Sequence, residues 1–312
     1  MLRLSSGLPE ENELMGRTVL IICAAATLVC GGAVAWLTLG PTVPDRNLAG
    51  LQGDVNRGAY VARLTGCIAC HTNSKNGGGV LTGGPEIPTE FGSFYAPNIT
   101  PHPDDGIGAW TLADFSRALT AGIGPDGGHY FPAFPYAFYT ALSDQDIVDL
   151  WAAVRSVPAV AGGPPEHGLQ FPFGWHRGVG IWKRLYLEAG RPEPRPDRSP
   201  GWNRGRYLAE AAAHCGACHT PRTLLGGRDL SRKYQGGIGP GEDKIPAITP
   251  EALEREGWTA DDLRYAFRTG LTPSGDSLGG SMAEVIRDGT RYWSDADIAS
   301  LVEYLMDPER GE

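Results

Sequence analysis

The longest apolar stretch of the chain lies near its start, where residues 18–39 carry no charged side chain. A helix of these 22 residues, at about 1.5 Å per residue, spans roughly 33 Å, which is enough to cross a bilayer. Because the stretch continues through Trp36 to Leu39, we predict a retained membrane helix over about residues 18–39 within an N-terminal segment 1–45. The alternative is a cleaved signal peptide, since Ala33-Val34-Ala35 has the small-x-small form of a cleavage site.

The polar part of the chain contains a repeat, in which one set of residues recurs about 148 positions later. The matching pairs are Asn56-Arg57-Gly58 with Asn203-Arg204-Gly205, Tyr60 with Tyr207, Trp110 with Trp258, and Ser143 with Ser294. Recurrence over this length indicates two copies of one domain type. We place unit 1 at residues 46–158 and unit 2 at residues 201–312.

Each unit has the pattern of three main helices. The first is predicted to run from the Asn-Arg-Gly turn into a Cys motif. The second begins at Thr111 or Thr259 and the third at Ser143 or Ser294, because each hydroxyl residue is followed three positions later by Asp, as in a helix cap. Apolar residues between 147 and 154 recur at helical spacing, as do their counterparts in unit 2. The predicted fold class is therefore mostly α.

Residues 159–200 between the units have the composition of a linker, with Gly-Gly-Pro-Pro near the start and alternating prolines near the end. The segment nevertheless carries five large aromatic residues, Phe171, Phe173, Trp175, Trp182 and Tyr186. A loose tether has no need for them. We therefore expect the linker to pack along both units.

The chain has 36 acidic and 27 basic residues among 312, a formal net charge of −9, which argues against a nucleic-acid partner. It has only six cysteines, few for a disulfide scaffold of this length. Cys23 and Cys30 fall inside the predicted membrane helix and are interpreted as small apolar residues. The other four form two pairs.

Each of these pairs is followed directly by histidine, in Cys67-Ile68-Ala69-Cys70-His71 (motif 1) and Cys215-Gly216-Ala217-Cys218-His219 (motif 2). Two thiols at this spacing add to the vinyl groups of a haem, and the following histidine ligates the iron. A redox dithiol does not require the histidine, and a zinc site needs a second pair of ligands nearby. The motifs therefore predict two covalently bound haem c groups, attached outside the cytoplasm.

The remaining axial position of haem 2, the group at motif 2, has a candidate ligand in Met282, 63 residues beyond His219. It follows Gly279-Gly280-Ser281, which we interpret as a loop before the last helix. Thioether ligation raises the reduction potential of a haem. Met306 lies on the terminal helix and is expected to pack in the core.

The same step in unit 1 leads from His71 to Phe134, which cannot bind iron, and unit 1 contains no methionine. Haem 1 is then either five-coordinate or ligated by another residue. His129 is the best candidate from the sequence, because imidazole is a common axial ligand. A solvated loop histidine is the alternative reading, and the weaker candidates are Tyr130, Tyr136 and His102.

Two further roles are suggested by position. Gly84-Pro85 and Gly239-Pro240 follow the motifs at places where a backbone carbonyl can accept the Nδ1 proton of the ligating histidine. Arg222, just after motif 2, is a candidate partner for a haem propionate, with a simple exposed arginine as the alternative.

With these residues, the chain from about Asn56 to Leu305 resembles the multihaem cytochrome c subunits of membrane-bound alcohol and gluconate dehydrogenases. The stretches that carry the resemblance are Cys67 to Thr72, Asn98-Ile99-Thr100-Pro101, Gly106 to Trp110, Pro132 to Tyr136, Phe171-Pro172-Phe173 and Trp202 to Arg222. The resemblance implies class I cytochrome c folds that pass electrons from a periplasmic dehydrogenase toward quinone or a terminal oxidase. Two departures stand out: those subunits usually have three haem motifs and carry Met where Phe134 stands.

The sequence thus predicts an electron carrier rather than an enzyme: a dihaem c-type cytochrome with one membrane helix, in the bacterial inner membrane with its domains in the periplasm. Its donor would be a dehydrogenase or a quinol-linked protein, and its acceptor a cytochrome or an oxidase. The chain is then either the cytochrome subunit of a dehydrogenase complex or a separate redox partner. The alternative is a dihaem oxidoreductase, peroxidase-like or sulfur-compound oxidising, with an open haem 1. Phe134 motivates that alternative.

Overall fold

The computed structural model describes residues 9–171, 173–239 and 244–309 and is mostly helical, as predicted. The helices of the N-terminal segment and unit 1 are α1 (Pro9–Leu39), α2 (Val55–Leu64), α3 (Cys67–His71), α4 (Leu112–Ala121), α5 (Tyr136–Tyr139) and α6 (Asp144–Ser156). The linker contributes α7 (Gly178–Tyr186). The helices of unit 2 are α8 (Pro200–Tyr207), α9 (Gly216–His219), α10 (Pro250–Arg255), α11 (Ala260–Thr269), α12 (Gly280–Asp288) and α13 (Asp295–Met306).

The strands are short and lie beside the helices. In unit 1, β1 (Glu86–Thr89) pairs with β2 (Gly92–Tyr95), which also pairs with β3 (Gly168–Leu169) from the linker, all antiparallel. In unit 2, β4 (Gly237–Ile238) pairs antiparallel with β5 (Lys244–Ile245). The sheets therefore only connect loop segments, and the helices form the core.

Helix α1 is 31 residues long, and its part from Leu14 to Leu39 is long and apolar enough to cross a membrane. The side chains of this part are almost all exposed, since the linker helix α7 and His129 of unit 1 contact only its last residues. An apolar helix with no protein around it needs another apolar environment. That agrees with the predicted membrane helix, although the helix begins before residue 18.

The predicted starts of the second and third helices are confirmed in both units. Thr111 caps α4 by accepting a hydrogen bond from the amide of Asp114, whose carboxylate accepts one from the Thr111 amide in return. The same capping box, built on Thr259, begins α11. Ser143 and Ser294 cap α6 and α13 through their hydroxyls. These residues satisfy amide donors that a helix start leaves free.

The predicted first helix is wrong in one respect, because it is two helices. Helix α2 ends at Leu64, and α3 begins at Cys67 after a left-handed Gly66. Gly58 does not form a turn but lies inside α2, where a Cβ atom would stand 1.8 Å from the backbone oxygen of Asp149 in α6. Glycine is therefore required because two helices touch here. Gly205 of α8 approaches α13 in the same way.

Units 1 and 2 pack against each other through reciprocal contacts. The hydroxyl of Tyr60 donates to the Asp297 carboxylate of unit 2 at 2.6 Å, and the hydroxyl of Tyr207 donates to Asp146 of unit 1. These pairs occupy equivalent positions in the repeat, so the units are related by an approximate two-fold axis. Buried side chains from both units belong to one hydrophobic core.

The linker packs along both units, as expected from its aromatic residues. The buried Lys183 donates to the Ala121 carbonyl at the end of α4, at 2.7 Å. Toward unit 2, Trp182 donates to the Leu225 carbonyl at 3.1 Å, and the Tyr186 and Thr223 hydroxyls lie 2.9 Å apart. Pro172 lies outside the described residues.

Candidate haem centres

Both Cys motifs sit on a short helix that follows a left-handed residue. Gly66, with φ +72°, precedes Cys67, and His214, with φ +43°, precedes Cys215. A residue in this conformation turns the chain sharply, and glycine adopts it without strain. In α3 the two cysteines are separated by nearly one helical turn, so their sulfurs lie on one side and His71 follows directly.

In each motif, the carbonyl of the histidine accepts a hydrogen bond from the loop that follows the motif. The amide of Gly83 donates to the carbonyl of His71 at 2.9 Å, and that of Gly236 donates to the carbonyl of His219 at the same distance. Gly84 then passes so close that a Cβ would lie 1.8 Å from the Cys70 carbonyl. The loop after each motif therefore fixes the carbonyl side of the motif helix.

The imidazoles of both motifs are oriented by backbone carbonyls. His71 Nδ1 lies 2.7 Å from the Pro97 carbonyl oxygen, and His219 Nδ1 lies 2.9 Å from that of Pro246. A carbonyl only accepts, so Nδ1 carries the proton and Nε2 keeps its lone pair for a metal. Burial also lowers the pKa of both rings, against a weaker opposing effect of these hydrogen bonds. Both histidines are thus held neutral and ready to ligate.

The suggestion that Gly84-Pro85 and Gly239-Pro240 supply these acceptors is wrong, and Pro240 lies outside the described residues. The acceptors are Pro97 and Pro246, which begin the matching sequences Pro-Asn-Ile-Thr-Pro and Pro-Ala-Ile-Thr-Pro. Alignment of the two units over this stretch would have found them. Side-chain chemistry gave no signal, because the functional atom is a backbone oxygen.

The thiols of the motifs fit covalent attachment of a group in a recess. None of the six cysteines forms a disulfide. Cys70 and Cys218 are exposed, yet enough protein surrounds them that burial raises the pKa of Cys218 and, with Cys67 and Cys218 nearby, raises that of Cys70 to about 12. A side chain that is accessible and also surrounded lies in a concave site.

The two motifs lie close to each other across the unit interface. Cys218 is near enough to contribute to the raised pKa of Cys70. His214, which precedes motif 2, packs its ring against Phe138 and Tyr139 of unit 1, with centroids 5.9 and 5.6 Å apart. The Tyr139 hydroxyl in turn donates to the Thr65 carbonyl beside motif 1. Aromatic side chains therefore fill the space between the motifs.

The loops that precede the predicted sixth ligands are equivalent in the two units. The Tyr130 amide donates to the Gly122 carbonyl at 2.8 Å, and the Leu278 amide donates to the Gly270 carbonyl at 2.7 Å. These pairs keep the 148-residue spacing of the repeat, so Phe134 corresponds to Met282.

Met282 itself lies in the first turn of α12 rather than in a loop, and that part of the prediction is wrong. The stretch from Gly280 is helical because Met, Ala and Glu favour helix, and because the helix buries Ile286. Met282 stays partly accessible. Phe134 in the matching place is half-buried among Tyr130, Tyr136 and Tyr139, with ring centroids 5.8 to 6.3 Å away. Met306 packs against the core, as expected.

His129 lies at the end of the apolar helix α1. Its Nε2 lies 3.2 Å from the Thr38 carbonyl oxygen, and Lys183 Nζ lies 3.0 Å from its Nδ1. Burial lowers the pKa of this imidazole, and the Lys183 charge lowers it further. Both ring nitrogens are therefore engaged, and iron ligation by His129 would require at least one of these contacts to break. The proposed ligand role remains a prediction, without support from this geometry.

The weaker candidates also have other surroundings. Tyr136 is fully buried, and Lys183 Nζ stands 4.7 Å from its ring centroid. His102 Nδ1 accepts from the Asp105 amide at 3.0 Å. Arg222, by contrast, lies on motif 2, since its guanidinium donates to the Ala217 carbonyl at 2.5 Å. An arginine held there is suitably placed for an anionic group of the cofactor.

Comparison with known proteins agrees with the motifs. Residues 55–158 match the family described as Cytochrome c. The chain is 42% identical over 288 residues to "Diheme cytochrome c-type" of Cereibacter sphaeroides, covering 90% of this chain and 95% of that one. It is also 40% identical to "Fructose dehydrogenase cytochrome subunit" of Gluconobacter japonicus, covering 80% and 52%, and 33% identical to "Gluconate 2-dehydrogenase cytochrome c subunit" of Pantoea cypripedii, covering 80% and 58%. The chain thus spans about half the length of these dehydrogenase subunits.

Proposed function

The chain belongs to the cytochrome c family, and from this premise we propose that it is a membrane-anchored carrier that moves electrons between a dehydrogenase and a downstream cytochrome or oxidase. Its relatives are named as a dihaem cytochrome c and as the cytochrome subunit of a dehydrogenase, and both names describe proteins that carry electrons on haem. The observation that carries the proposal is the duplicated motif, in which a backbone carbonyl holds each histidine at Nδ1.

The residues that hold the haems follow from the site. Cys67 and Cys70 bond haem 1, and Cys215 and Cys218 bond haem 2. A bound haem supplies an iron that gains and loses one electron. We assign His71 and His219 as proximal ligands and Met282 as the sixth ligand of haem 2. The carbonyls of Pro97 and Pro246 keep the imidazoles from rotating. Units 1 and 2, as bounded above, are then one haem domain each.

Location follows from the anchor and from the chemistry of attachment. Helix α1 is exposed, apolar and long enough to span a bilayer. Because c-type attachment takes place outside the cytoplasm, we place both units in the periplasm, with α1 in the bacterial inner membrane. The names of the dehydrogenase cytochrome subunits support a dehydrogenase as donor. Their greater length leaves the identity of that donor to experiment.

The test uses the full chain purified from membranes of a host that matures c-type cytochromes. We expect two haems per chain by pyridine haemochrome absorbance. Replacing Cys67 and Cys70 by Ala should leave one haem, and so should replacing Cys215 and Cys218. The double change Cys23→Ala and Cys30→Ala is the matched control and should keep both. One haem or none in the unchanged chain contradicts the proposal.

A redox titration of the same preparation tests the assignment of ligands. Methionine ligation raises the reduction potential, so unit 2 should contain the higher-potential centre. Selective loss of the higher-potential wave in the Cys215 and Cys218 double variant would identify it. Loss of the lower wave instead would reverse the assignment.

The alternative function is an oxidoreductase with an open haem 1, and the half-buried Phe134 in place of Met282 favours it. The only cysteines outside the motifs, Cys23 and Cys30, lie in α1, so a thiolate ligand like that of sulfur-oxidising enzymes is out of reach. Rapid, stoichiometric binding of carbon monoxide to one reduced haem would support the enzyme. Absence of binding would support the carrier.

A further inference from the structure

A group of large apolar side chains lies exposed on the soluble part of the protein. We call it the apolar rim, and it consists of Phe171, Phe173, Leu185, Leu224 and Leu225. Phe171 is 94% exposed and Leu224 is fully exposed. Scattered exposed leucines are normal on a soluble surface, but a contiguous group of aromatic and leucine side chains marks a contact with another apolar phase.

Contacts beneath the apolar rim show that its parts are neighbours, although they come from different segments. Leu225 accepts a hydrogen bond from Trp182 of α7, the helix that also bears Leu185. The next residue in the loop, Gly226, lies against the Phe91 ring, which is 3.2 Å from the place of its missing Cβ. The Phe91 ring in turn packs on Phe173, with centroids 4.7 Å apart. The linker, the 223–227 loop and the β1–β2 turn thus form one surface.

This surface adjoins the end of α1. A Cβ on Gly180 of α7 would lie 2.0 Å from the Thr38 carbonyl oxygen, so the two backbones touch. Arg184 donates to the Trp36 carbonyl at 2.9 Å, and its guanidinium stacks 3.6 Å from the centroid of the Trp36 ring. Tryptophan and arginine at the end of an apolar helix are typical of the bilayer interface.

The attachment of α7 to unit 1 is too firm for the rim to turn away freely. Lys183 Nζ donates to the carbonyls of Ala121 and Gly122 at 2.7 and 2.8 Å and contacts His129 Nδ1 at 3.0 Å. His129 also contacts the Thr38 carbonyl of α1. One cluster around the buried Lys183 therefore joins α1, α7 and unit 1, and the apolar rim keeps a fixed position relative to α1.

We propose that the apolar rim is a second membrane contact, which rests in the interfacial layer of the bilayer that α1 crosses. The proposal rests on the anchoring role proposed above for α1. The occupant is lipid because the rim is continuous with the helix that lipid surrounds, and because aromatic and leucine side chains beside Trp36 and Arg184 have the composition of interfacial segments. Such a contact sets the orientation of both haem motifs above the membrane.

The test measures membrane depth by spin labelling of the full chain, with both haems, at one chain per lipid nanodisc. Cys23 and Cys30 are replaced by Ala, and single cysteines are introduced as Leu224→Cys and, separately, Phe171→Cys. Asp261→Cys, on an exposed site of α11, is the aqueous control. Native Cys30 in a Cys23→Ala chain is the control for α1. Power saturation compares collisions with oxygen, which enriches in lipid, and with a water-soluble nickel chelate.

We expect the oxygen-to-nickel collision ratio at 224 and 171 to be severalfold higher than at 261 and to approach that at Cys30. If 224 and 171 match 261 while Cys30 is lipid-exposed, the rim proposal is overturned and the anchor stands. If Cys30 is also in water, the anchoring proposal fails and the rim proposal with it. Shielding of 224 from both reagents would indicate a protein partner or a second copy and would equally overturn the lipid contact.

Discussion

The reciprocal tyrosines Tyr60 and Tyr207 join the two units by hydrogen bonds to the carboxylates of Asp297 and Asp146, and their loss should weaken the arrangement of the two motifs. In Tyr60→Phe, the chain loses a hydroxyl that donates to Asp297 at 2.6 Å and accepts from the Ser294 amide at 2.9 Å. Asp297 is buried and keeps its paired contacts with Arg204, at 2.7 and 2.9 Å. The Asp297 carboxylate therefore loses one hydrogen bond but does not become an unpaired buried charge.

The size of the effect follows from these contacts. A hydrogen bond to a charged group contributes about 1.5–3 kcal/mol, and the remaining Arg204 pair argues for the middle, roughly 2 kcal/mol of unfolding free energy. Tyr207→Phe removes the equivalent contact with Asp146, which should cost about as much. Because both pairs join the same two surfaces, the double variant should lose less than the sum, once the interface opens as a whole.

Guanidinium unfolding measures this, followed by tryptophan fluorescence, which the haems quench in the folded chain, and in parallel by Soret absorbance. Tyr265→Phe, at an exposed position on α11, is the matched control and should change stability little. If Tyr60→Phe and Tyr265→Phe differ by less than about 0.5 kcal/mol, the size of an ordinary surface effect, the interface does not depend on these hydroxyls and the reasoning fails.

The pH dependence gives a second check on Asp297. Burial opposes ionisation, but the hydrogen bonds from Arg204 and Tyr60 outweigh it and lower the pKa of Asp297 below its ordinary value. A depressed carboxylate pKa stabilises the fold above the unfolded pKa of about 4, and that contribution is lost as the pH falls through the folded pKa. The stability gap between the unchanged chain and Tyr60→Phe should therefore narrow on acidification below about pH 4. A constant gap would contradict it.

Three further changes test the site and the helix packing. Met282→Leu should lower the potential of haem 2 and open it to carbon monoxide, while Met306→Leu should do neither; an unchanged potential would exclude Met282 as ligand. His129→Ala should leave the low-temperature electron paramagnetic resonance spectrum of haem 1 unchanged, because both ring nitrogens have other partners, and a new spectrum would establish ligation. Gly58→Ala should destabilise the chain by about 3 kcal/mol in denaturant unfolding through its collision with α6, whereas Gly163→Ala, with room for a Cβ, should have little effect; equal stabilities would contradict the close packing.

The sequence predicted those features that depend on the chemistry and local spacing of particular side chains. Thr111 and Ser143 precede Asp at cap spacing, and the structure places them at the starts of α4 and α6. The motif around Cys67 is recognisable because its chemistry needs a fixed spacing. These signals are local, so they do not depend on how distant segments come together.

Features made by distant segments could not be predicted in the same way. The carbonyls of Pro97 and Pro246 orient the motif histidines His71 and His219, and a carbonyl is present at every position of the chain. Tyr60 was recognised as part of the repeat, but its partner 237 positions away depends on how the units pack. His129 was a reasonable ligand by residue type, and only its contacts with α1 and α7 give it a different setting.

The two units therefore share the side of the site that bears the Cys motif and its histidine. They differ on the side that bears Phe134 in unit 1 and Met282 in unit 2. Motif, proximal carbonyl and unit interface recur in both, since each unit needs them to hold a haem and to pack on its partner. The loop with Gly122 and Tyr130 has the same backbone as its unit 2 counterpart, but its His129 corresponds to Ser277, and it faces the anchor helix. Among the described residues, α1 and Lys183 contact this loop in unit 1, through His129. The contact with α1 and the Phe134 that stands at the position of Met282 therefore occur in the same unit. If α1 is the anchor and Met282 the sixth ligand of haem 2, as proposed above, a difference in potential between the haems follows from this difference between the units.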